Sequence, residues 1–153
     1  MTTEIIQIIT GFVGSLCFGI LFNLKGKRLL AGALGGLLSW AMFIILSQFI
    51  TSDPLNYFFV AVLVSVYAEI LAKAVKTPAT PIITTALIPL IPGGSLYYTV
   101  ASAFDSSFGV FSEKAIYTLK LAAALALGMI VVLAVWKFFA LKITERGRKG
   151  VQN

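Results

Sequence analysis

The sequence IPLIPGGSLYYT, residues 88–99, places two prolines and a diglycine inside an apolar stretch. Proline lacks a backbone N–H and glycine weakens a helix, so this segment should interrupt any helix that runs through it. In hydrocarbon each unpaired backbone N–H or C=O costs several kcal/mol, so a break is tolerated only where protein or a watery cavity satisfies these groups. What surrounds this segment therefore decides both the fold and the function.

The composition is typical of an integral membrane protein. The chain is 59% hydrophobic and only 12% charged, whereas soluble domains carry about 25% charged residues. Its mean hydropathy is +0.97. Several apolar runs reach the length of about 18 residues that a membrane-spanning helix needs. We therefore predict an all-α integral membrane protein with a single transmembrane domain over residues 1–153.

Five spans are predicted. Four are placed by apolar length at residues 5–24, 29–50, 55–72 and 115–136. The interrupted segment 77–103 is long enough to cross once, because two crossings would need about 40 residues. We expect it to form two half-helices, about 78–88 and 95–103, joined by an unwound PLIPGG. Ser95 then stands at the N-cap position of the second half-helix.

The distribution of Lys and Arg predicts the orientation. Cations fill the first loop, the third loop and the tail, at Lys25, Lys27, Arg28, Lys73, Lys76, Lys137, Lys142, Arg146, Arg148 and Lys149. Alternate connections share one side of the membrane, and the positive-inside rule makes that side the cytoplasm. We predict an outside N-terminus, an inside C-terminus and a basic cytoplasmic tail over 137–153. A re-entrant hairpin in place of the fourth span would put the tail on the other side.

The same distribution argues against nucleic acid as a partner. The net charge is +6, but the cations lie in short loops and one tail, where they serve as topology determinants facing anionic lipid.

No residue pattern indicates catalysis or metal binding. The chain has no histidine, its six carboxylates form no obvious pair, and neither H-E-x-x-H nor G-x-S-x-G occurs. We predict no enzyme activity, no metal and no cofactor. The single cysteine, Cys17, is interpreted as a small packing residue. Small residues at four-residue spacing, Gly11, Ser15 and Gly19 in the first helix and Gly32 and Gly36 in the second, predict close helix packing.

The break itself is the candidate solute site. A half-helix that begins in the membrane points free N–H groups and a positive dipole end at a carboxylate, and broken helices mark substrate sites in many secondary transporters. The predicted pathway residues are Thr84, Thr85, Pro89, Pro92, Gly93, Gly94, Ser95 and Tyr97, and Tyr98 and Thr99 also offer hydroxyls. The alternative is a proline-kinked helix whose hydroxyls bond to its own carbonyls.

Glu69 is the only acidic residue inside a predicted span and is the candidate for proton coupling. It also lies one turn before Lys73, near the predicted cytoplasmic end, where Glu and Lys at this spacing form an ordinary helix pair. Asn23 and Lys73 are predicted to be interfacial polar residues, with Asn23 as a helix cap.

Two stretches resemble the threonine/serine exporter family. The first is ILAKAVKTPATPIITTALIPLIPGGSLYYT, residues 70–99, with K-x-P-A followed by P-L-x-P-G-G and a tyrosine. The second is GILFNLKGKRLLAGALGGLLSW, residues 19–40, with F-N near the end of the first helix and a glycine-rich second helix. The chain is most similar to the small five-span subunit that corresponds to the C-terminal half of the fused exporters.

This resemblance implies export of small hydrophilic, carboxylate-bearing metabolites, threonine and serine or short dicarboxylates, driven by the proton gradient across a bacterial cytoplasmic membrane. It also implies a larger partner with five spans and a cytosolic N-terminal domain. An alternative function of a different class remains: the chain could be a non-transporting membrane subunit that assembles or stabilises another protein, with the break serving as a kink at which the two proteins dock.

Overall fold

The computed structural model describes the backbone over residues 2–105 and 108–151 and the side chains over residues 2–104 and 108–138. The described chain is entirely helical, without strands, as predicted. The helices are α1 Thr2–Leu21, α2 Lys27–Ser47, α3 Asp53–Ala74, α4 Ala79–Leu87, α5 Gly93–Asp105 and α6 Phe108–Val151, and the 3₁₀ helix Ile88–Leu90 follows α4.

Four helices are long and apolar enough to cross a membrane: α1, α2, α3 and the Phe108–Phe138 part of α6. The first three overlap the segments predicted at 5–24, 29–50 and 55–72, and the described part of α6 contains the predicted 115–136. The remaining segment forms a pair of helices, Ala79–Leu90 and Gly93–Phe104, bent by 58°. A bent pair of this kind is one broken span or a re-entrant loop, so the described residues contain four or five candidate spans.

The two parts of the bent pair have different neighbours. Helix α4 packs against α1, α2 and α3, and its side chains Ile82 and Ala86 are fully buried, as is Leu90 directly after it. Helix α5 instead packs against α6, which in turn packs against α3. Within the described residues, the bend therefore carries the chain from the interior of the bundle to its edge.

Helices α1 and α2 pack through their small residues, as the spacing predicted. Gly11, Ser15 and Gly19 are buried on α1, and Gly36 of α2 lies against Gly11 and Ser15. The other buried small residues of α2 are Ala31, Gly32, Ala33, Gly35 and Ser39, of which Gly32 and Gly35 contact α4. A Cβ built at Gly36 would lie 2.9 Å from the carbonyl oxygen of Gly11. Such backbone approach allows the dispersion contacts that drive helix association in lipid.

Cys17 does not have the predicted packing role, because its side chain is exposed. Helix α1 turns its glycine-and-serine face toward α2, and Cys17, two residues after the buried Ser15, lies on another face.

Asn23 ends α1 in a left-handed conformation, with φ of 58°. The N–H of Leu24 donates to Gly19 O and that of Asn23 to Ile20 O, both at 2.9 Å. This is the Schellman arrangement, in which Asn is one of the few residues other than glycine that accept a positive φ. Asn23 therefore caps the C-terminal end of α1, and its predicted position at the membrane interface stays a prediction.

Candidate functional site

The break lies at the middle of the bundle. Pro89 in the 3₁₀ helix packs beside Gly11, where an added Cβ would lie 3.5 Å from Pro89 Cγ and 3.3 Å from Gly36 O. Gly11 and Gly36 lie halfway along α1 and α2. Because α1 has about the length of the hydrocarbon core, a segment at its midpoint lies near mid-membrane when α1 spans the bilayer.

The prolines account for the break. Pro89 has no N–H to donate to Thr85 O, so α4 ends and a 3₁₀ turn follows. Pro92 disfavours the helical conformation in the residue before it. Ile91 is accordingly extended, with φ of −60° and ψ of 123°. The non-helical residues are Ile91 and Pro92.

This geometry differs from the predicted unwound PLIPGG. Gly93 and Gly94 lie in the first turn of α5, and neither has a positive φ. Ser95 is consequently the third residue of α5 and does not stand at an N-cap position. The sequence-based prediction assigned the turn to the diglycine. In the structure, Pro92 holds the preceding residue in an extended conformation, and the next helix begins directly after Pro92.

The first turn of α5 is open. Gly93 and Gly94 are exposed, and a Cβ added to either would meet no atom within 4 Å. Gly93 N–H donates to Ile91 O at 2.7 Å and Leu96 N–H to Pro92 O at 2.9 Å. The N–H groups of Gly94 and Ser95 lie in the first turn, where a helix supplies no acceptor of its own. With no side chain on either glycine, these donors are accessible from outside the chain.

The threonines of α4 bond to their own helix. The hydroxyl of Thr84 donates to Thr80 O at 2.9 Å, and that of Thr85 donates to Pro81 O at 2.8 Å. Thr84 is exposed, but Thr85 is fully buried against α1 and α2, where a Cβ at Gly32 would lie 2.9 Å from Thr85 Cγ2. Contact of Thr85 with a solute would therefore require repacking.

The hydroxyl residues of α5 divide between two faces. Tyr97 and Tyr98 are 69% and 63% exposed, and their rings meet edge to face at 5.5 Å. Thr99 is buried against α6, where its Oγ1 lies 2.9 Å from that of Thr118 and donates to Ser95 O at 2.8 Å. Because a hydroxyl carries one proton, Thr118 is the donor to Thr99. This pair, the Thr99–Thr118 clasp, ties α5 to α6.

The predicted pathway residues therefore do not converge on one surface of this chain. Thr85 packs into the bundle, Tyr97 and the two glycines are exposed on α5, and Ser95 is half-buried. Of these predicted residues, Pro89 is the one that lines the described cavity.

That cavity is a groove of about 270 Å³ beside the break. Its walls come from α1, α2 and the 3₁₀ helix: Gln7, Thr10, Gly11, Gly14, Trp40, Ile88 and Pro89. We call it the α1–α2 groove. The sequence-based search missed Gln7, Thr10 and Trp40, because it looked for charged side chains in the spans and all three residues are neutral. The available signal was Gln7 itself, a polar side chain in an apolar span.

Glu69 and Lys73 lie near the C-terminal end of α3, and neither residue lines the α1–α2 groove. Glu69 is half-buried, and Lys73 is exposed with its Nζ 4.4 Å from the centroid of the Trp136 ring on α6. A cation over an indole face is attracted by the ring quadrupole, so Lys73 links α3 to α6. Within the described residues, no group of three or more His, Cys, Asp or Glu could hold a metal ion.

The long apolar helices and the bent pair at mid-bundle define the class: an all-α membrane protein with four or five candidate spans. A family model described as "Threonine/Serine exporter, ThrE" matches residues 7–135. The match covers α1 from Gln7 onward, all of α2 to α5, and α6 as far as residue 135.

The chain belongs to the threonine/serine exporter family. That family is one of transporters and not of enzymes, and it places the chain in a membrane. No curated protein and no solved structure gave a match to this chain.

Proposed function

We propose that this chain is the small membrane subunit of a two-component secondary exporter of small hydrophilic metabolites. The carrying observation is the break between α4 and α5, which lies halfway along α1 and α2 beside a groove. The open first turn of α5 supplies unpaired N–H groups for a solute carboxylate, of the kind borne by threonine, serine or a short dicarboxylate. Proton coupling through Glu69 belongs to the same proposal.

In this proposal the bent pair is a single broken span. The chain then has five spans, an outside N-terminus and a basic cytoplasmic tail over 137–153, whose side chains beyond Phe138 lie outside the described residues. The membrane is the bacterial cytoplasmic membrane. Because five is odd, a second five-span unit that continues the path must run in the opposite direction, which gives an inverted repeat.

The proposed partner is a larger subunit with five spans and a cytosolic N-terminal domain. The exposed face of α5 supports its position there. Tyr97 and Tyr98 lie a short way into α5 from the break, and their hydroxyls need hydrogen-bond partners when water is absent. A partner at this face would enclose the solute between the open turn of α5 and its own helices.

The test is export of labelled threonine, serine and succinate from cells expressing this chain, the partner, or both. We expect export only with both chains, and loss of export in Gly94→Val at normal membrane abundance. The substitution has room within this chain, because no atom lies within 4 Å of the added Cβ. Gly109→Val is the matched control, since Gly109 is equally open and lies on α6.

A second function, assembly or stabilisation of another membrane protein, is favoured by one observation. Thr84, Thr85 and Thr99 all donate to carbonyls of their own helices, as the hydroxyls of a merely kinked helix do. A stable two-chain complex that exports none of the three solutes would support this function and overturn the exporter proposal.

A further inference from the structure

We infer that the α1–α2 groove binds the uncharged, hydroxyl-bearing end of the exported solute, and that Gln7 and Thr10 determine specificity for that hydroxyl. The inference rests on the proposed export function and adds a second binding region to it. The first region is the open turn of α5, which suits the carboxylate. Pro89 lines the groove, and the open turn of α5 begins four residues later in the chain.

The groove contains a fixed hydrogen-bond donor. Trp40 Nε1–H donates to Gln7 Oε1 at 3.4 Å. An indole nitrogen can only donate, so the oxygen of the Gln7 amide must face Trp40 and its NH₂ group is left to donate elsewhere. The amide is thereby oriented by an aromatic side chain on the neighbouring helix.

The groove also contains an acceptor. Thr10 Oγ1 donates its proton to Ile6 O at 2.6 Å, which leaves the oxygen lone pairs of Thr10 available. An amide donor on Gln7 and a hydroxyl acceptor on Thr10, one turn apart on α1, match a hydroxyl group, because a hydroxyl both accepts and donates.

The remaining walls exclude charge. No Lys, Arg, Asp or Glu lines the groove, and the other lining residues are Gly11, Gly14, Ile88 and Pro89. An ammonium or carboxylate buried there would lose its hydration without a counter-charge. A short aliphatic chain that carries one hydroxyl fits both the apolar walls and the two polar groups. A lipid acyl chain would use the walls but would leave the polar groups unpaired.

Gly14 keeps the groove open. It lies one turn after Thr10 and two turns after Gln7 along α1, and a Cβ added there would meet no atom within 4 Å. Gly11, by contrast, is in close contact with Gly36, Trp40 and Pro89. A side chain at position 14 would therefore project into unoccupied space and reduce the volume available to a ligand without displacing the protein around it.

The first experiment compares threonine with valine, which replaces the hydroxyl by a methyl of similar size, in cells expressing both subunits. We expect wild-type protein to prefer threonine, and Gln7→Leu to reduce the threonine-to-valine ratio of export rates by roughly five- to tenfold, the worth of one hydrogen bond. Gln48→Leu is the control, because Gln48 is exposed just beyond α2, outside the groove. An unchanged ratio in Gln7→Leu, with threonine still exported, overturns this inference and leaves the export proposal standing.

The second experiment uses Gly14→Val, which also covers the case in which Gln7→Leu fails to reach the membrane. We expect it to reduce export of threonine more than export of the smaller serine, with Gly109→Val as the control. Equal reduction of both solutes overturns the inference, since a lipid chain or a partner side chain in the groove would affect them alike. Export of succinate by wild-type protein without export of threonine or serine would overturn this inference alone. Absence of export with all three solutes would contradict the proposed function itself.

Discussion

The environment of α4 differs sharply from that of α5, although the two helices are separated only by the break. Around α4, small residues on α2 permit close packing: a Cβ at Gly32 would lie 2.9 Å from Thr85 Cγ2, and one at Gly35 would overlap the side chain of Ala86. Around α5, Gly93 and Gly94 face open space. The same residue type thus closes the packing inside the bundle and leaves a surface open at its edge. The chain itself fills the space around α4, whereas the surface of α5 at Gly93 and Gly94 is available to a partner or a solute.

The largest expected effect tests the closed region. A Cβ at Gly36 would overlap the Ser15 side chain and lie 2.9 Å from Gly11 O, so Gly36→Val forces α1 away from α2. Overpacking of this kind costs about 3 kcal/mol. We expect a large fall in membrane abundance and in the melting temperature of detergent-solubilised protein. Gly14→Val, on the same α1–α2 pair but in open space, is the control, and equal behaviour of the two variants would remove the basis for the comparison.

A smaller effect is expected at the Thr99–Thr118 clasp. Thr99→Val and Thr118→Val each remove the hydrogen bond between α5 and α6, and a double-mutant cycle should give a coupling of about 0.6 to 1 kcal/mol. Unfolding of purified protein in a mild detergent, followed by circular dichroism, measures it. A coupling near zero would mean that α5 is held to α6 by apolar contacts alone.

The smallest effect is expected at the open turn. Gly94 is helical and meets nothing, so Gly94→Ala should stabilise the chain by about 0.5 kcal/mol through its lower unfolded-state entropy. The same unfolding assay measures this change in stability. Ala33 in α2 is an example of the opposite environment, because its methyl group is buried by neighbouring atoms. Destabilisation by Gly94→Ala would show that this surface is closed in the folded protein and would contradict the comparison.

The first three long helices and the glycine contacts could be predicted because their signals are local. Apolar length identifies α1, α2 and α3, and spacing of four residues places Gly11, Ser15 and Gly19 on one face. Asn23 was likewise predictable, since it follows directly on the last turn of α1.

The helices are interrupted within the segment that the sequence pointed to, but the geometry of the interruption differs from the predicted one. Both proline and glycine interrupt helices, and composition does not say which of them acts. In the structure, Pro92 fixes Ile91 in an extended conformation and Gly93 is already helical. Thr85 illustrates a related difficulty: in a helix that is apolar on every side, the sequence does not reveal which face is buried.

The α1–α2 groove could not be predicted, because it is assembled from three elements far apart in the chain. Gln7, Trp40 and Pro89 share no motif, and although Gln7 stands out as a polar residue in an apolar span, the sequence does not show which residues meet it. Their juxtaposition follows from the close approach of α1 and α2, which brings Trp40 to Gln7, and from the packing of the 3₁₀ helix against both.

The charges of α6 have a consequence for the membrane around the protein. Lys120 and Lys137 bound an apolar segment of 16 residues, 121–136. At a rise of 1.5 Å per residue it extends for about 24 Å, whereas the hydrocarbon core is about 30 Å thick. When α6 spans the bilayer, this difference is met by lysine side chains that extend to the interface, by local thinning of the lipid, or by both. Because the clasp ties α5 to α6, a change in bilayer thickness that moves α6 would also move α5 relative to α4 and change the bend at Ile91 and Pro92.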